Sequence, residues 1–165
     1  MESYPAIIIG IDPGQTTGVS VLYLDEEEYH LAEVLQLGDP DNIWKPLKQL
    51  IEKYKKIYDN VTVLCESFEL RPDVVNPDET PKYIIKDLNR YVENEHEIRY
   101  QLASQAKVGV PPARSGARDR LHAFNLYSKG QRHANDATRH CVAFAVGNLR
   151  HRPLIVRGWG LPGKK

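Results

Sequence analysis

A chain of 165 residues, 41% of them hydrophobic, can bury one self-sufficient core and is short for two. No stretch approaches the roughly 20 apolar residues that cross a bilayer, and the opening MESYPAIII lacks the basic segment and cleavage site of a secretion signal, so a cytosolic protein with no membrane partner is expected. The net charge of zero hides an asymmetry: residues 1–98 carry 9 Lys and Arg against 20 Asp and Glu, a net of −11, whereas residues 99–165 carry 13 against 2, a net of +11. The basic half suits a polyanion such as nucleic acid, although two solvated faces of one domain would give the same count.

Residues 6–12 read as a buried strand that runs up to Asp12 and turns at Pro13-Gly14, with Gly18 closing the loop. GVSVLYL (18–24) alternates as a second strand, Asp25 to Glu28 form a hairpin tip, and YHLAEVLQL (29–37) returns as a third, giving an antiparallel meander. An amphipathic helix follows, capped by Asp41 or Asn42, starting near Pro46 and burying Ile43, Leu47, Leu50, Ile51 and Tyr54. The continuous apolar run of NVTVLCESF then predicts a strand buried on both faces, and a helix between neighbouring strands implies parallel pairing. Residues 70–81 read as a Pro-rich acidic loop, 82–95 as a helix, EIRYQLASQ as a fifth strand, ARDRLHAFNLY as a short helix and HANDATRHCVAFAVGNLR as a longer one. The expectation is one α/β domain over residues 1–150, a five-stranded mixed sheet flanked by helices, with residues 151–165 as a basic extended tail. Cys65 and Cys141 are isolated within apolar runs, as buried free thiols would be.

If strands one and four lie side by side and parallel, Asp12 and Glu66 end at the same sheet edge. Their repulsion calls for a proton or a hard cation, and carboxylate oxygens suit Mg²⁺ or Mn²⁺. His133 and Asp136, at i and i+3, share a face of the long C-terminal helix and would complete a site of three carboxylates and an imidazole, suited to two divalent ions about 4 Å apart. Each residue has a plainer reading: Asp12 as a turn former, Glu66 as the partner of a basic residue, and His133 with Asp136 as a solvated helix start.

GIDPGQTTG (10–18), LCESF (64–68) and HANDATRHCVAFAV (133–146), in this order, resemble the RuvC branch of the RNase H-like nuclease superfamily over residues 6–149. The resemblance implies an RNase H-like fold, with strands four and five parallel to strand one, and a homodimeric, Mg²⁺-dependent crossover junction endonuclease that nicks four-way or other branched DNA. It assigns catalytic, metal-holding roles to Asp12, Glu66, His133 and Asp136: Asp12 bridges two ions, Glu66 and Asp136 hold one each, and His133 ligates or orients the second. The implied products carry 5′-phosphate and 3′-hydroxyl ends, and no organic cofactor is implied. LASQAK resembles phage-encoded members and implies that Lys107 lies near the DNA backbone. By sequence position, Arg114, Arg118, Arg120, Lys129, Arg132 and Arg139 are the basic residues expected to meet phosphates. The resemblance also implies dimer contacts by residues 82–95, with Ile84, Ile85, Leu88 and Tyr91 as candidates, unless these pack on their own sheet. Asp73, Asp78 and Glu79 depart from the family pattern.

Three alternatives compete. A ribonuclease H cutting RNA–DNA hybrids would carry aspartate on the fourth strand, where this chain has Glu66. Sugar kinase, actin and Hsp70-like ATPases share the first loop but need a second phosphate loop and a second domain. A non-catalytic DNA-binding module would have no need of all four candidate ligands.

Overall fold

The computed structural model describes residues 3–66, 80–95, 99–103 and 117–159. Strands β1 (Ala6–Asp12), β2 (Thr17–Leu24), β3 (Tyr29–Leu37), β4 (Asn60–Glu66) and β5 (Arg99–Ala103) form one sheet in the order β3-β2-β1-β4-β5. The β1–β2 and β2–β3 pairs are antiparallel; the β1–β4 and β4–β5 pairs are parallel. This is the expected five-stranded mixed sheet.

Two-residue periodicity divides the core between the sheet's faces. Ile7, Ile9, Ile11, Val19, Val21, Val61, Val63 and Cys65 face one layer with α1 (Trp44–Ile57) and α2 (Thr80–Asn89); Ala6, Ile8, Leu22, Leu24 and Leu64 face the other with α3 (Ala117–Phe124), α4 (Arg132–Gly147) and α5 (Arg152–Trp159). Helix α1 buries Leu47, Leu50, Ile51 and Tyr54, with Ile43 buried just ahead of it, as its spacing requires. Both cysteines are buried free thiols.

Several elements differ from the sequence expectation. Asp41 and Asn42 do not cap α1: with Pro40 they form a 3-10 turn capped by Asp39, whose side chain accepts from the Asp41 N–H, and Ile43 enters α1 with no side-chain cap. Proline's fixed φ seeds that turn one step early. The expected helix 82–95 begins at Thr80 and passes into a π-helical turn over Arg90–Glu95. Helix α3 stops at Phe124 because Asn125 takes a left-handed φ of 64°.

The largest correction concerns residues 151–165, expected to be extended: Arg152–Trp159 are helical, as α5, while residues 160–165 lie outside the described set. Pro153 sits in the first turn, where its missing N–H costs nothing, and Leu154 is fully buried. His151 fastens the helix start, donating through Nε2 to the Asp25 carbonyl at 2.7 Å and accepting at Nδ1 from the Leu154 N–H, while Arg157 Nε donates to the Ala123 carbonyl at 3.0 Å. The segment packs as part of the domain.

Candidate active site

The parallel register pairs Ile11 with Cys65, so Asp12 and Glu66 leave β1 and β4 at one edge. Alternation sends Asp12 to the same face as Ile8 and Gly10, and Glu66 to the same face as Leu64: the α4 side. The turn after Asp12 is spanned by Thr17, fully buried, whose hydroxyl donates to the Gly14 carbonyl at 3.3 Å and accepts from the Gly14 N–H at 3.4 Å.

Two glycines decide how closely α4 approaches. A Cβ on Gly10 would lie 2.6 Å from both the Ala137 carbonyl oxygen and Cys141 Sγ, and one on Gly18 would lie 2.1 Å from the His133 carbonyl carbon and oxygen. Gly18, read from sequence as a loop closer, is a strand residue paired with Asp12 whose missing side chain admits the helix backbone. Helix α4 is then tied down: Thr138 Oγ1 donates to Ser20 Oγ at 2.7 Å, and Asn135 exchanges two 2.9 Å bonds with the Ser128 backbone. Gln36 on β3, the cross-strand partner of Gly18, presents its side-chain carbonyl to the His133 N–H at 2.8 Å and the Ala134 N–H at 3.4 Å, capping a helix that no side chain of its own caps.

Asp12, Glu66 and His133 meet at this edge. Burial, then a hydrogen bond with Glu66, then the charges of Glu66 and Asp136 push the Asp12 carboxyl up to about 9, with Arg132 pulling the other way. His133 Nδ1 stands 3.8 Å from Asp12 Oδ2, an ion-pair distance and not a hydrogen bond. Asp136 is close enough to act on Asp12 but its carboxylate is engaged by the Arg139 guanidinium. Sequence reasoning missed His140, whose Nε2 lies 3.2 Å from Glu66 Oε2 with the ring buried.

The donor set suits a hard divalent cation, whose charge would offset the repulsion between the Asp12 and Glu66 carboxylates. As the side chains stand, no group of three or more His, Cys, Asp or Glu among the described residues is gathered around one ion position. The third carboxylate, Asp136, is held by Arg139.

Of the basic residues expected at DNA, Lys129 and Arg132 are exposed beside the α4 N-terminus, and Arg139 is largely buried against Asp136. Arg118 and Arg120 fall within α3, their side chains outside the described set, as are Lys107 and Arg114 and the acidic trio Asp73, Asp78 and Glu79. The suggested dimer contacts are mostly core: Ile84, Leu88 and Tyr91 are buried and Ile85 packs against them, leaving Tyr83 as the exposed apolar side chain of α2.

This sheet order, with two carboxylates ending adjacent parallel strands under a helix laid across the edge, defines the RNase H-like α/β fold of the RuvC type. Solved structures sharing it include Thermus thermophilus RuvC in complex with Holliday junction substrate (14% identity, TM-score 0.61, covering 86% of this chain and 96% of that one). A second Thermus thermophilus RuvC structure has 14% identity and a TM-score of 0.60 over 88% of this chain and 97% of that one. The fowlpox virus Holliday junction resolvase has 12% identity and a TM-score of 0.50 over 86% and 98%. No protein-family model matches the chain, and no curated protein matches it. The likeness is one of fold. No helix among the described residues is long and apolar enough to cross a membrane.

Proposed function

We propose that this chain is a metal-dependent endonuclease that cleaves four-way or other branched DNA junctions. The observation that carries the reading is the hydrogen-bonded carboxyl pair Asp12 and Glu66 at the ends of two parallel strands, with Asp12 raised to about 9. A raised carboxyl beside a second carboxylate in an edge site marks a place built for a counter-charge. The fold neighbours that are resolvases, one of them bound to Holliday junction DNA, support the substrate class.

In this reading Asp12, Glu66 and Asp136 hold two Mg²⁺ ions, or Mn²⁺ in their place, and His133 ligates or orients at the second. Such ions supply charge neutralisation at a phosphodiester and a more acidic water as nucleophile. With ions bound, Asp12 would hold them as a carboxylate, and Asp136 would have to leave Arg139 to join the set. Lys129 and Arg132 neutralise phosphates beside the α4 N-terminus, and cleavage leaves a 5′-phosphate and a 3′-hydroxyl. A symmetric four-way substrate asks for two sites related by a two-fold axis, hence a homodimer, with the Tyr83 face of α2 as its contact.

The test is Mg²⁺-dependent cleavage of a mobile four-way junction, a fork, plain duplex and an RNA–DNA hybrid by wild type and Asp12→Asn. Paired symmetric nicks in the junction, absent from the variant, are expected. Cutting confined to the hybrid would make the protein a ribonuclease H, and inactivity on all four a binding module.

A further inference from the structure

Helix α4 buries an imidazole that the proposed mechanism does not use. His140 is 2% exposed on a stretch otherwise packed with Ala137, Cys141, Val142 and Phe144, and neither ring nitrogen makes a well-formed hydrogen bond. A leucine or phenylalanine would fill such a position without desolvating two polar atoms, so packing does not explain a histidine here. The acceptor within reach is Glu66: Nε2 stands 3.2 Å from Oε2, and the Glu66 side chain is itself only 14% exposed. The backbone holds the two in place. Gly10 lets α4 lie flush on β1 at Ala137 and Cys141, the residues flanking this turn, and Thr138 ties the same turn to Ser20 on β2.

We propose that His140 is a positioning residue: its Nε2–H donates to Glu66 Oε2 and fixes that carboxylate at the sheet edge in the orientation that receives a divalent cation. Carboxylates that bind metals are commonly steered by a second donor behind them, and removing that donor typically lowers metal affinity about 10- to 100-fold. The inference rests on the metal-dependent reading of the site, deepening it by a residue that touches neither substrate nor cation. The Asp136-to-His140 spacing of one helical turn keeps a candidate ligand and the steering group on the same side of α4.

The test is Mn²⁺ binding to the protein without DNA, followed by the paramagnetic resonance signal of free Mn²⁺, for wild type, His140→Ala, His140→Gln and Glu66→Gln, with circular dichroism to verify the fold. His140→Ala is expected to bind about 10- to 100-fold more weakly, and His140→Gln, which keeps an N–H donor, to recover most of the loss. Wild-type affinity in a folded His140→Ala, or no recovery in His140→Gln, overturns the positioning role while Glu66→Gln still loses binding and the metal reading stands. Wild-type protein that binds no Mn²⁺, or Glu66→Gln that binds as wild type does, overturns both. Should His140→Ala fail to fold, the histidine ¹⁵N spectrum of metal-free wild type decides: hydrogen on Nε2 of His140 is expected, and hydrogen on Nδ1 alone overturns the proposal.

Discussion

Gly18 and His133 are in direct backbone contact: a Cβ on the glycine would stand 2.1 Å from the histidine's carbonyl carbon and oxygen. Because the obstacle is backbone, the added methyl cannot be absorbed by a rotamer change, and α4 must lift. Gly18→Ala is therefore expected to cost about 1–3 kcal/mol of stability or more and to reduce cleavage at least tenfold by carrying His133 and Asp136 off the edge. Urea unfolding and a junction-cleavage assay check the two effects; a variant unchanged in both would break the link between this contact and the site.

Gln36 acts on the same helix end from β3. Its side-chain carbonyl receives two N–H groups of the first turn, so Gln36→Ala should destabilise by about 1 kcal/mol, the usual worth of a lost cap. Gln36→Glu keeps an acceptor and adds a charge that the helix N-terminus favours, so it should hold the wild-type melting temperature. Equal losses in both variants would show that packing, and not the capping bond, matters.

Asp12 makes stability depend on pH. Its folded carboxyl lies at about 9 against 3.8 for the free group, so the folded state binds the proton more tightly. Metal-free protein is thus most stable with respect to this group below about 4 and loses stability as pH rises toward about 9, by up to about 1.4 kcal/mol for each unit crossed. Asp12→Asn removes the loss: with chelator present it should exceed wild type by more than about 1 kcal/mol at pH about 8, the gap closing toward pH about 4, while cleavage is abolished. Mg²⁺ should stabilise wild type at the higher pH and leave Asp12→Asn nearly unmoved. A variant weaker than wild type at every pH contradicts the assignment.

Lys129 and Arg132 are both exposed near the helix start but differ in reach, because Arg132 acts electrostatically on Asp12. Either change to alanine should weaken junction binding and lower the slope of log K against log salt by about 1. Arg132→Ala should in addition move the pH profile of cleavage upward, since the charge that lowers the Asp12 pKa is gone. Lys129→Ala should leave that profile in place.

The sheet was legible from sequence because strand periodicity and the Asp25–Glu28 turn are local signals, and β3 runs over Tyr29–Leu37 as read. The meeting of Asp12 and Glu66 followed from strand order alone. What escaped is what depends on a distant neighbour. Gln36 looks like any polar residue on a half-exposed strand, and its value comes from a helix 97 positions away. Gly18 looked like a turn residue until α4 was laid against it. His140 did carry a signal, standing one turn after Asp136 and two after His133, but an apolar helix face invites a packing explanation. Residues 152–159 read as extended because Pro, Gly and basic residues suggest it, while the burial of Leu154 that favours their helix is supplied by other elements.

The flush seating of α4 also bears on the order in which the chain can fold. Ser20 waits for Thr138, 118 positions later, and the Ile8 carbonyl waits for the Cys141 thiol, 133 positions later. During synthesis the β1–β2 hairpin therefore leaves the ribosome before any of its covering helices, and the face grooved by two glycines is not fully covered until residues 132–147 emerge. Closure of so long a loop is slow, so the uncovered sheet is the stage at which a nascent chain is most exposed to aggregation and to chaperone capture.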